Sequence, residues 1–517
     1  MRQKCMVMCT LTLFILFNLS CVSYEYEVSR VSTGTVEAWQ QWKGDEIERI
    51  DILEIIKKSG ERIEFTEGRP GIITGGAIKG GARVKGERGD VTEIVSVSVP
   101  LSEVEAVWVR IKKMDKGRGL FKTVGGIGLG IVAIGFYVAA TSDPSCPFIY
   151  SFDGENYIFD AEPYAGAVCR GVQRSEWCGL EHLKEVDGTY RLLVTNEVEE
   201  TEYVDEIKLL VVDHPAEVRV VPGAWGKIHT AANPLPPIRA YDRAGRDLTS
   251  QVNENDRLLW HGRAEPREEL VFEFPRPGNA AGAKLLVNGH NTLWGPESIK
   301  RYLGLYGSQL PAWYDEVNRM GPALFKMLNM HLREELYSLQ IRVETAGGWQ
   351  SKGLMVGGPP TIGETKAYPL DLTDVPGDTL RIKLTPPSPF WKINYLAVDY
   401  SEDLAVDVTE IAAVEAVSHT GEDVGKLLSQ NDGHYMVMPD TGDSAELVFT
   451  APPPNPGLDR TVILKASGYY DIHLAAEGEP QYELLERIHS EPGFAVKHAL
   501  KEYLKWQAEA LEAIKQQ

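Results

Sequence analysis

The sequence predicts a mainly β protein: a small N-terminal β-barrel or meander, then two duplicated antiparallel β-sandwiches of jelly-roll type, with a helical insert between them and a C-terminal helix. Three observations predict this architecture. Short runs alternate between apolar and polar residues, as strands with one buried face do. Clusters of turn-forming residues separate these runs at intervals of about 8–12 residues, which is typical of sandwiches and barrels. One long stretch recurs further along the chain in the same block order.

The composition limits the class of partner. At 517 residues the chain exceeds what one hydrophobic core usually serves, so several domains are expected. Its formal net charge is −21 at pH 7. We expect no nucleic-acid partner, because phosphate binding needs a basic face.

Residues 1–21 have the composition of an export segment. Arg2 and Lys4 precede a short apolar run, and Ser20 precedes Cys21. This order predicts a bacterial lipoprotein signal in which Cys21 is lipidated, with membrane lipid as the partner of the N-terminus. An ordinary signal peptide and an uncleaved anchor are the alternatives.

Residues 22–115 alternate in the manner of several short strands, with a hairpin turn at residues 58–61, and so predict the small β domain. A glycine-rich apolar segment follows at 121–141, and its 17 residues from Val124 to Ala140 carry no charge. That length is the lower limit for a transmembrane helix, and a buried helix or an envelope-side hairpin is the alternative. All these interpretations place the chain from Thr141 onward outside the cytoplasm, in the cell envelope.

Residues 145–295 predict the first sandwich. Asp153-Gly154 and Asp187-Gly188 are expected to form tight turns between strands, because glycine reaches positive φ without a steric cost. The acidic stretch 197–206 is interpreted as a solvated loop. A calcium loop is the alternative, although the stretch lacks the glycine around which such loops space their oxygen ligands.

The cysteines of this stretch predict a disulfide rather than a metal site. Cys146, Cys169 and Cys178, with His182, lack the close cysteine pairs of structural zinc sites, so neither a metal nor a cofactor is predicted. In an exported protein the simplest use of the thiols is a disulfide between Cys169 and Cys178.

Two segments of the chain resemble segments of a known protein family. The stretch CPFIYSFDGENYIFDAEPYAGA from Cys146, together with LLVVDHP ending at Pro215, resembles a family of uncharacterised bacterial envelope lipoproteins. The Cys-Pro-Phe module of that family also occurs in larger exported proteins with FG-GAP-type repeats. The resemblance implies an envelope location and a β fold, and it supplies no catalytic residues.

The strongest internal pattern is a repeat with a nearly constant offset. Four blocks of the first copy match four of the second, beginning at Tyr190 and Leu380, Ala240 and Ala416, Glu269 and Glu446, and Lys284 and Val462. The match predicts that residues 190–290 and 380–470 share one strand order, and that residues 337–480 form the second sandwich. The stretch PLDLTDVPGDTLRIKL from Pro369 also resembles jelly-roll carbohydrate-binding modules.

Two segments predict helices. Residues 296–336 have prolines at first-turn positions and glycines at stops, and residues 481–517 end in a helix with one apolar face. The aromatic residues of and near the insert have two interpretations, ring stacking on a sugar or core packing. For stacking, the residues to consider first are Trp294, Trp313 and Trp349.

The prediction of function rests on the catalytic motifs that the sequence lacks. The sequence has no nucleophile elbow, no HExxH helix and no phosphate-binding loop, so no catalytic residues are assigned. We therefore expect a non-catalytic, membrane-anchored envelope protein whose tandem sandwiches bind another envelope protein or a polysaccharide. An envelope hydrolase acting on glycan or peptide is the alternative, because paired carboxylates from distant strands leave no spacing signature.

Overall fold

The computed structural model describes residues 23–31, 47–59, 62–65, 72–74, 77–85, 92–115, 147–255, 260–262, 265–278 and 280–516. The predicted mainly β fold is confirmed. The signal segment with Cys21, the apolar segment 121–141 and Cys146 lie outside these residues, so the predictions made for them stay predictions. None of the helices within the described ranges is both long and apolar enough to cross a membrane.

The described part of the N-terminal domain forms two antiparallel sheets. Their orders are β1-β7-β2-β3 and β4-β5-β6, with the strands β1 Ser23–Val31, β2 Ile47–Lys57, β3 Arg62–Glu64, β4 Ile72–Thr74, β5 Ala77–Lys85, β6 Thr92–Pro100 and β7 Val104–Asp115. The predicted hairpin is the β2–β3 pair, and Ile52, Ile55 and Ile78 are fully buried in the core. The described strands do not close into a barrel, so of the two predicted forms the closed one is wrong.

Sandwich A is built from two separate stretches of chain. One sheet has the order β25-β27-β11-β8-β9, and the other has the order β10-β28-β12-β24 with β26 also paired to β12. Its strands are β8 Phe148–Phe152, β9 Tyr157–Ala161, β10 Arg174–Gly179, β11 Thr189–Thr195, β12 Glu200–His214, β24 Asp407–Ala412, β25 Glu415–Ser418, β26 Met436–Met438, β27 Ser444–Thr450 and β28 Asp459–Ile472. The two predicted Asp-Gly turns are confirmed, because Gly154 has a φ of 103° between the paired strands β8 and β9, and Gly188 has a φ of 76° in a turn closed by the Val186–Thr189 bridge before β11.

Sandwich B lies between those two stretches in sequence. Its sheets have the orders β15-β17-β22-β19-β20 and β16-β23-β18-β21, with the short hairpin β13-β14 beside them. The strands are β13 Arg219–Pro222, β14 Ile228–Ala231, β15 Arg239–Asp242, β16 Trp260–His261, β17 Leu270–Pro275, β18 Gly282–Asn291, β19 Ser338–Thr345, β20 Gly348–Val356, β21 Thr365–Asp371, β22 Thr379–Leu384 and β23 Trp391–Asp399. Strict alternation in β19 buries Leu339, Ile341 and Val343 completely, as a half-buried strand requires.

The two sandwiches share one strand order, but each takes strands from both copies of the repeat. In sandwich A, β11 and β12 of the first copy pair with β27 and β28 of the second. In sandwich B, β22 and β23 of the second copy pair with β17 and β18 of the first. The second halves of the copies are therefore exchanged. The predicted shared order is confirmed, whereas the predicted domain boundaries 145–295 and 337–480 are wrong.

The exchange has a local cause in the chain that leaves β12. After His214 the hairpin β13-β14 packs Val221 and Ala231 against Leu286 and Ala367 of sandwich B. This contact carries the chain away from sandwich A before β15 begins. Matched strands have the same apolar pattern, so a repeat identifies equivalent strands without showing which copy each one pairs with.

Five helices pack on both sandwiches, as the sequence predicts for the insert and the C-terminus within the described residues. They are α1 Trp294–Gly304, α2 Leu310–Asn318, α3 Pro322–Glu334, α4 Tyr482–Ser490 and α5 Phe494–Gln516. Pro311 and Pro322 occupy first-turn positions, where a missing N–H costs no hydrogen bond. The core of sandwich A includes Leu303 and Val317, and that of sandwich B includes Met330 and Val496. The helices therefore join the two cores.

Candidate functional site

The polar cleft is an open cleft of about 590 Å³ on sandwich A. Four segments line it: the turn 170–174 before and into β10, Asp205 of β12, the α2–α3 connection 318–320, and the loop 431–435 before β26. Because three of these are loops or turns on a rigid double sheet, the cleft has the usual placement of a binding site.

A β-bulge positions Asp205 at the floor of the cleft. The register of β12 against β28 shifts between Val204 and Glu206, which leaves Asp205 as the extra residue. Its carboxylate is fully buried and accepts hydrogen bonds from the backbone N–H groups of Asp432 and Gly433, at 3.1 and 3.0 Å. Asp205 therefore fixes the loop 431–435 against the sheet.

Gln173 links the two sides of the cleft. Its Nε2 donates to Asp205 Oδ2 at 2.6 Å, and its Oε1 accepts from the Tyr435 hydroxyl at 2.7 Å. Asn431 is held in turn, because its Nδ2 donates to Ser467 Oγ at 2.9 Å. The polar side chains of the cleft are thus pre-oriented by one another, which lowers the entropy lost when a ligand binds.

Three tyrosine rings pack together as what we call the tyrosine wall, and one of them, Tyr435, lines the cleft. Tyr203 and Tyr469 stack with ring centroids 4.4 Å apart, and Tyr435 meets them edge-on at 5.9 and 5.4 Å. Tyr435 is partly exposed in the cleft, so the surface of its ring is available to a ligand, and Tyr203 and Tyr469 support that ring from the protein side. Beside them, burial raises the pKa of Asp471 to about 6, although a hydrogen bond with Tyr203 opposes that rise.

The charged groups of the cleft are mainly arginines. Arg174 is anchored, since it donates to the Ala165 carbonyl oxygen at 2.6 Å, whereas the Arg170 side chain is exposed. Arg319 lies on the opposite side and donates to the Asp315 carbonyl oxygen at 2.8 Å. The cleft therefore offers guanidinium donors, amides and aromatic rings together. Among the described residues no group of three or more His, Cys, Asp or Glu side chains is arranged to hold a metal ion.

The predicted stacking residues lie elsewhere. Trp294 and Trp313 are only 1% and 3% exposed and belong to the cores, so the stacking role predicted for them is wrong. Trp349 on β20 is partly exposed, but the Lys383 ammonium lies 4.5 Å from its ring centroid. Core packing, the other interpretation of these rings, applies to the first two.

The predicted disulfide is also wrong. Cys169 and Cys178 are free thiols, both fully buried in the core of sandwich A. Burial raises the pKa of the Cys169 thiol to about 12 and that of Cys178 well above its usual range. Both therefore behave as small apolar core residues, a use that spacing along the chain does not reveal.

The acidic stretch 197–206 is not a solvated loop, because β12 begins at Glu200 and buries Glu202 completely. Burial, together with Glu200 and Glu162, raises the pKa of Glu202 well above its usual range. Two other buried carboxylates have separate partners: Asp213 binds Arg460 at 2.6 Å, and Glu162 accepts a hydrogen bond from Thr361. The structure does not unite them in one site.

Sequence patterns gave little indication of the polar cleft. Asp205 lies inside an apolar strand, where a lone acidic residue is a weak sign of a bulge, and Asn431-Asp432-Gly433 marks only a turn. The cleft joins residues that are far apart in sequence because β12 and β28 pair across the two copies.

Comparison with known proteins adds no relative. No protein-family model matches the chain, and no curated protein matches it significantly.

Proposed function

We propose that the protein is a non-catalytic binding protein of the cell envelope, held at a membrane by its N-terminal segment, and that its polar cleft binds a glycan. The observation that carries the proposal is the Tyr435 ring in the cleft, backed by Tyr203 and Tyr469 and held by the Asp205–Gln173–Tyr435 hydrogen bonds. Aromatic rings bury the apolar faces of sugar rings, while amides and guanidinium groups bond to their hydroxyls. The net charge of −21 supports a partner other than nucleic acid.

The cleft is tested with paired substitutions of Tyr435. We expect Tyr435→Ala to weaken retention on purified envelope polysaccharide or peptidoglycan about tenfold, because it removes both the ring and the hydroxyl that bonds to Gln173. Tyr435→Phe keeps the ring and should lose less. Tyr482, 63% exposed on α4, supplies the control substitution Tyr482→Ala. Equal retention by Tyr435→Ala and the control, with both proteins folded, would reject the cleft as the glycan site.

Membrane attachment is tested separately. Cells expressing the full chain and a Cys21→Ala variant are fractionated, and the lipidation proposal expects only the unsubstituted chain to label with a radioactive fatty acid. If neither protein reaches the envelope fraction, the attachment proposal fails. Glycan binding is decided separately, by the retention experiment on the purified protein.

The alternative function, an envelope hydrolase, is favoured by one observation. Asp471 has a pKa raised to about 6 beside the tyrosine wall, and a carboxyl whose pKa lies near the working pH can donate a proton as a general acid. Steady release of product from a glycan or peptide, lost in Asp471→Asn, would replace the binding proposal with this one.

A further inference from the structure

The helices enclose a second cavity, which is separate from the polar cleft. It has a volume of about 330 Å³ and lies between α1, α3, α4, α5 and the edge of sandwich B. Its wall is formed largely by Trp294, Met327, Met330, Tyr337 and Phe390. The volume falls in the range of pockets that hold small organic ligands, and a wall of aromatic and thioether groups suits an apolar one.

His331 is a polar side chain that lines this cavity between Met327, Met330 and Tyr337. His331 of α3 makes a ring contact with Tyr337, at 5.0 Å between centroids, and its ring nitrogens make no side-chain hydrogen bond to another described residue. Burial lowers the pKa of His331 to about 4, with a smaller contribution from His489. At neutral pH the imidazole is therefore uncharged and offers one donor and one acceptor.

Two tyrosine hydroxyls of the wall are paired within the protein. The Tyr302 hydroxyl is within hydrogen-bond distance of His489 Nε2 at 2.8 Å, and the Tyr337 hydroxyl donates to the Gly295 carbonyl oxygen at 2.9 Å. A ligand that bonds to the His331 imidazole displaces no hydrogen bond of the protein and gives a buried polar group a partner.

The charges at the rim select against an anionic ligand. Arg301 and Glu502, 33% and 25% exposed, lie at the end of the cavity that reaches the surface and approach each other to 3.4 Å. Arg301 also binds Glu297 at 2.6 Å. One guanidinium is thus shared by two carboxylates, which leaves an excess negative charge and no free cation for an acidic ligand.

We propose that this cavity is a second binding site, distinct from the polar cleft, for a compact, uncharged and largely apolar molecule that carries one hydroxyl group. The apolar body occupies the space beside Met327 and Met330, and the hydroxyl bonds to His331. The site does not depend on glycan binding, since it shares no lining residue with the polar cleft.

Three matched probes test the chemical class by calorimetry on the purified chain: 4-propylphenol, propylbenzene and 4-propylbenzoate. We expect the phenol to bind about tenfold more tightly than propylbenzene, because only the phenol bonds to His331. The benzoate should bind more weakly than either. Absence of binding by all three would overturn the proposal, and a benzoate that binds as tightly as the phenol would overturn the uncharged class.

Substitutions test the place of binding. Ala499→Phe puts a ring into the cavity and should abolish binding of phenol and propylbenzene, whereas Lys501→Phe puts the same ring on an exposed position of α5 and should not. His331→Leu should remove the preference for the phenol and keep binding of propylbenzene.

Because a substitution in the cavity can also disturb helix packing, a measurement on the unsubstituted protein accompanies them. Nuclear Overhauser contacts from the bound phenol to the Met327 and Met330 methyl groups are expected. Their absence from a saturated complex, or retained phenol preference in a folded His331→Leu protein, would overturn the assignment of this cavity.

Discussion

Asp471 illustrates how burial sets the ionisation of a single side chain here. Its pKa of about 6 exceeds the usual 3.8 because the carboxyl lies in the protein interior, and one of its oxygens, Oδ1, has no hydrogen-bond partner. A raised carboxyl pKa means that the folded state holds the proton more tightly than the unfolded state does. Stability from this group is therefore present at low pH and lost as the pH rises from about 4 to about 6.

Asp471→Asn should remove this dependence. We expect the variant to gain about 1–3 kcal/mol in free energy of unfolding relative to the unsubstituted chain between pH 4 and pH 7, because the amide never ionises and can still accept from Tyr203. Urea unfolding of both proteins at pH 4, 5, 6 and 7 measures the difference. A difference that stays constant across this range would contradict the raised pKa.

At the scale of elements, β12 and β28 form the central strand pair of one sheet of sandwich A. It joins Glu200–His214 to Asp459–Ile472, and the residues opposite one another are buried on both faces of the sheet. One face belongs to the main core, and the other packs Leu210, Val212 and Ile463 against Trp177. The double burial explains the uninterrupted apolar run Leu209–Val212.

Gly468 of β28 permits a close approach that no larger residue allows. A Cβ placed there would lie 2.5 Å from the Tyr203 carbonyl oxygen and 2.7 Å from the ring of Tyr164. We expect Gly468→Ala to lower the free energy of unfolding by about 1–3 kcal/mol. Gly179 of β10 lies in the same sheet with no atom within 4 Å of its Cβ position, so Gly179→Ala is the matched control. Equal stability of the two variants would show that β28 can move away from Tyr203 at little cost.

The elements were more predictable than their assembly. Alternation located strands such as β19, and proline and glycine placed the insert helices, because these signals depend on neighbouring residues. The pairing of β11 with β27 depends on strands more than two hundred residues apart, for which the first copy offers an equivalent partner in β17. The polar cleft inherits the same difficulty, since Gln173 and Tyr435 meet only after β28 has paired with β10 and β12, and β26 with β12.

At the scale of the whole molecule, the exchange of halves between the two copies determines how the sandwiches are connected. It makes sandwich B an insertion between β12 and β24 of sandwich A, and the helices then pack on both cores. A fragment that ends at residue 295 would contain half of each sandwich. Neither half could pair all its strands, so the contiguous domains expected from the repeat should not fold alone.

Paired cysteines test the exchange directly. Arg191 of β11 lies opposite Val448 of β27, so Arg191→Cys with Val448→Cys should form a disulfide on oxidation. Val271 matches Val448 in the first copy but lies opposite Lys383, so Arg191→Cys with Val271→Cys should not. Mass spectrometry of tryptic peptides distinguishes the two. A cross-link in the second variant alone would mean that each copy folds on itself.

The insertion of one sandwich into the other also determines the order in which strands can find their partners during translation. Strands β8–β12 leave the ribosome before the rest of the two sandwiches, yet their partners β27 and β28 are complete only when residue 472 has been made. Sandwich B has all its strands once Asp399 emerges, so it can close while half of sandwich A still waits with open edges. Open edges invite pairing with other chains. The edges of sandwich A therefore stay open until β28 has been translated. During that interval a chaperone that covers unpaired strands would protect the nascent chain most.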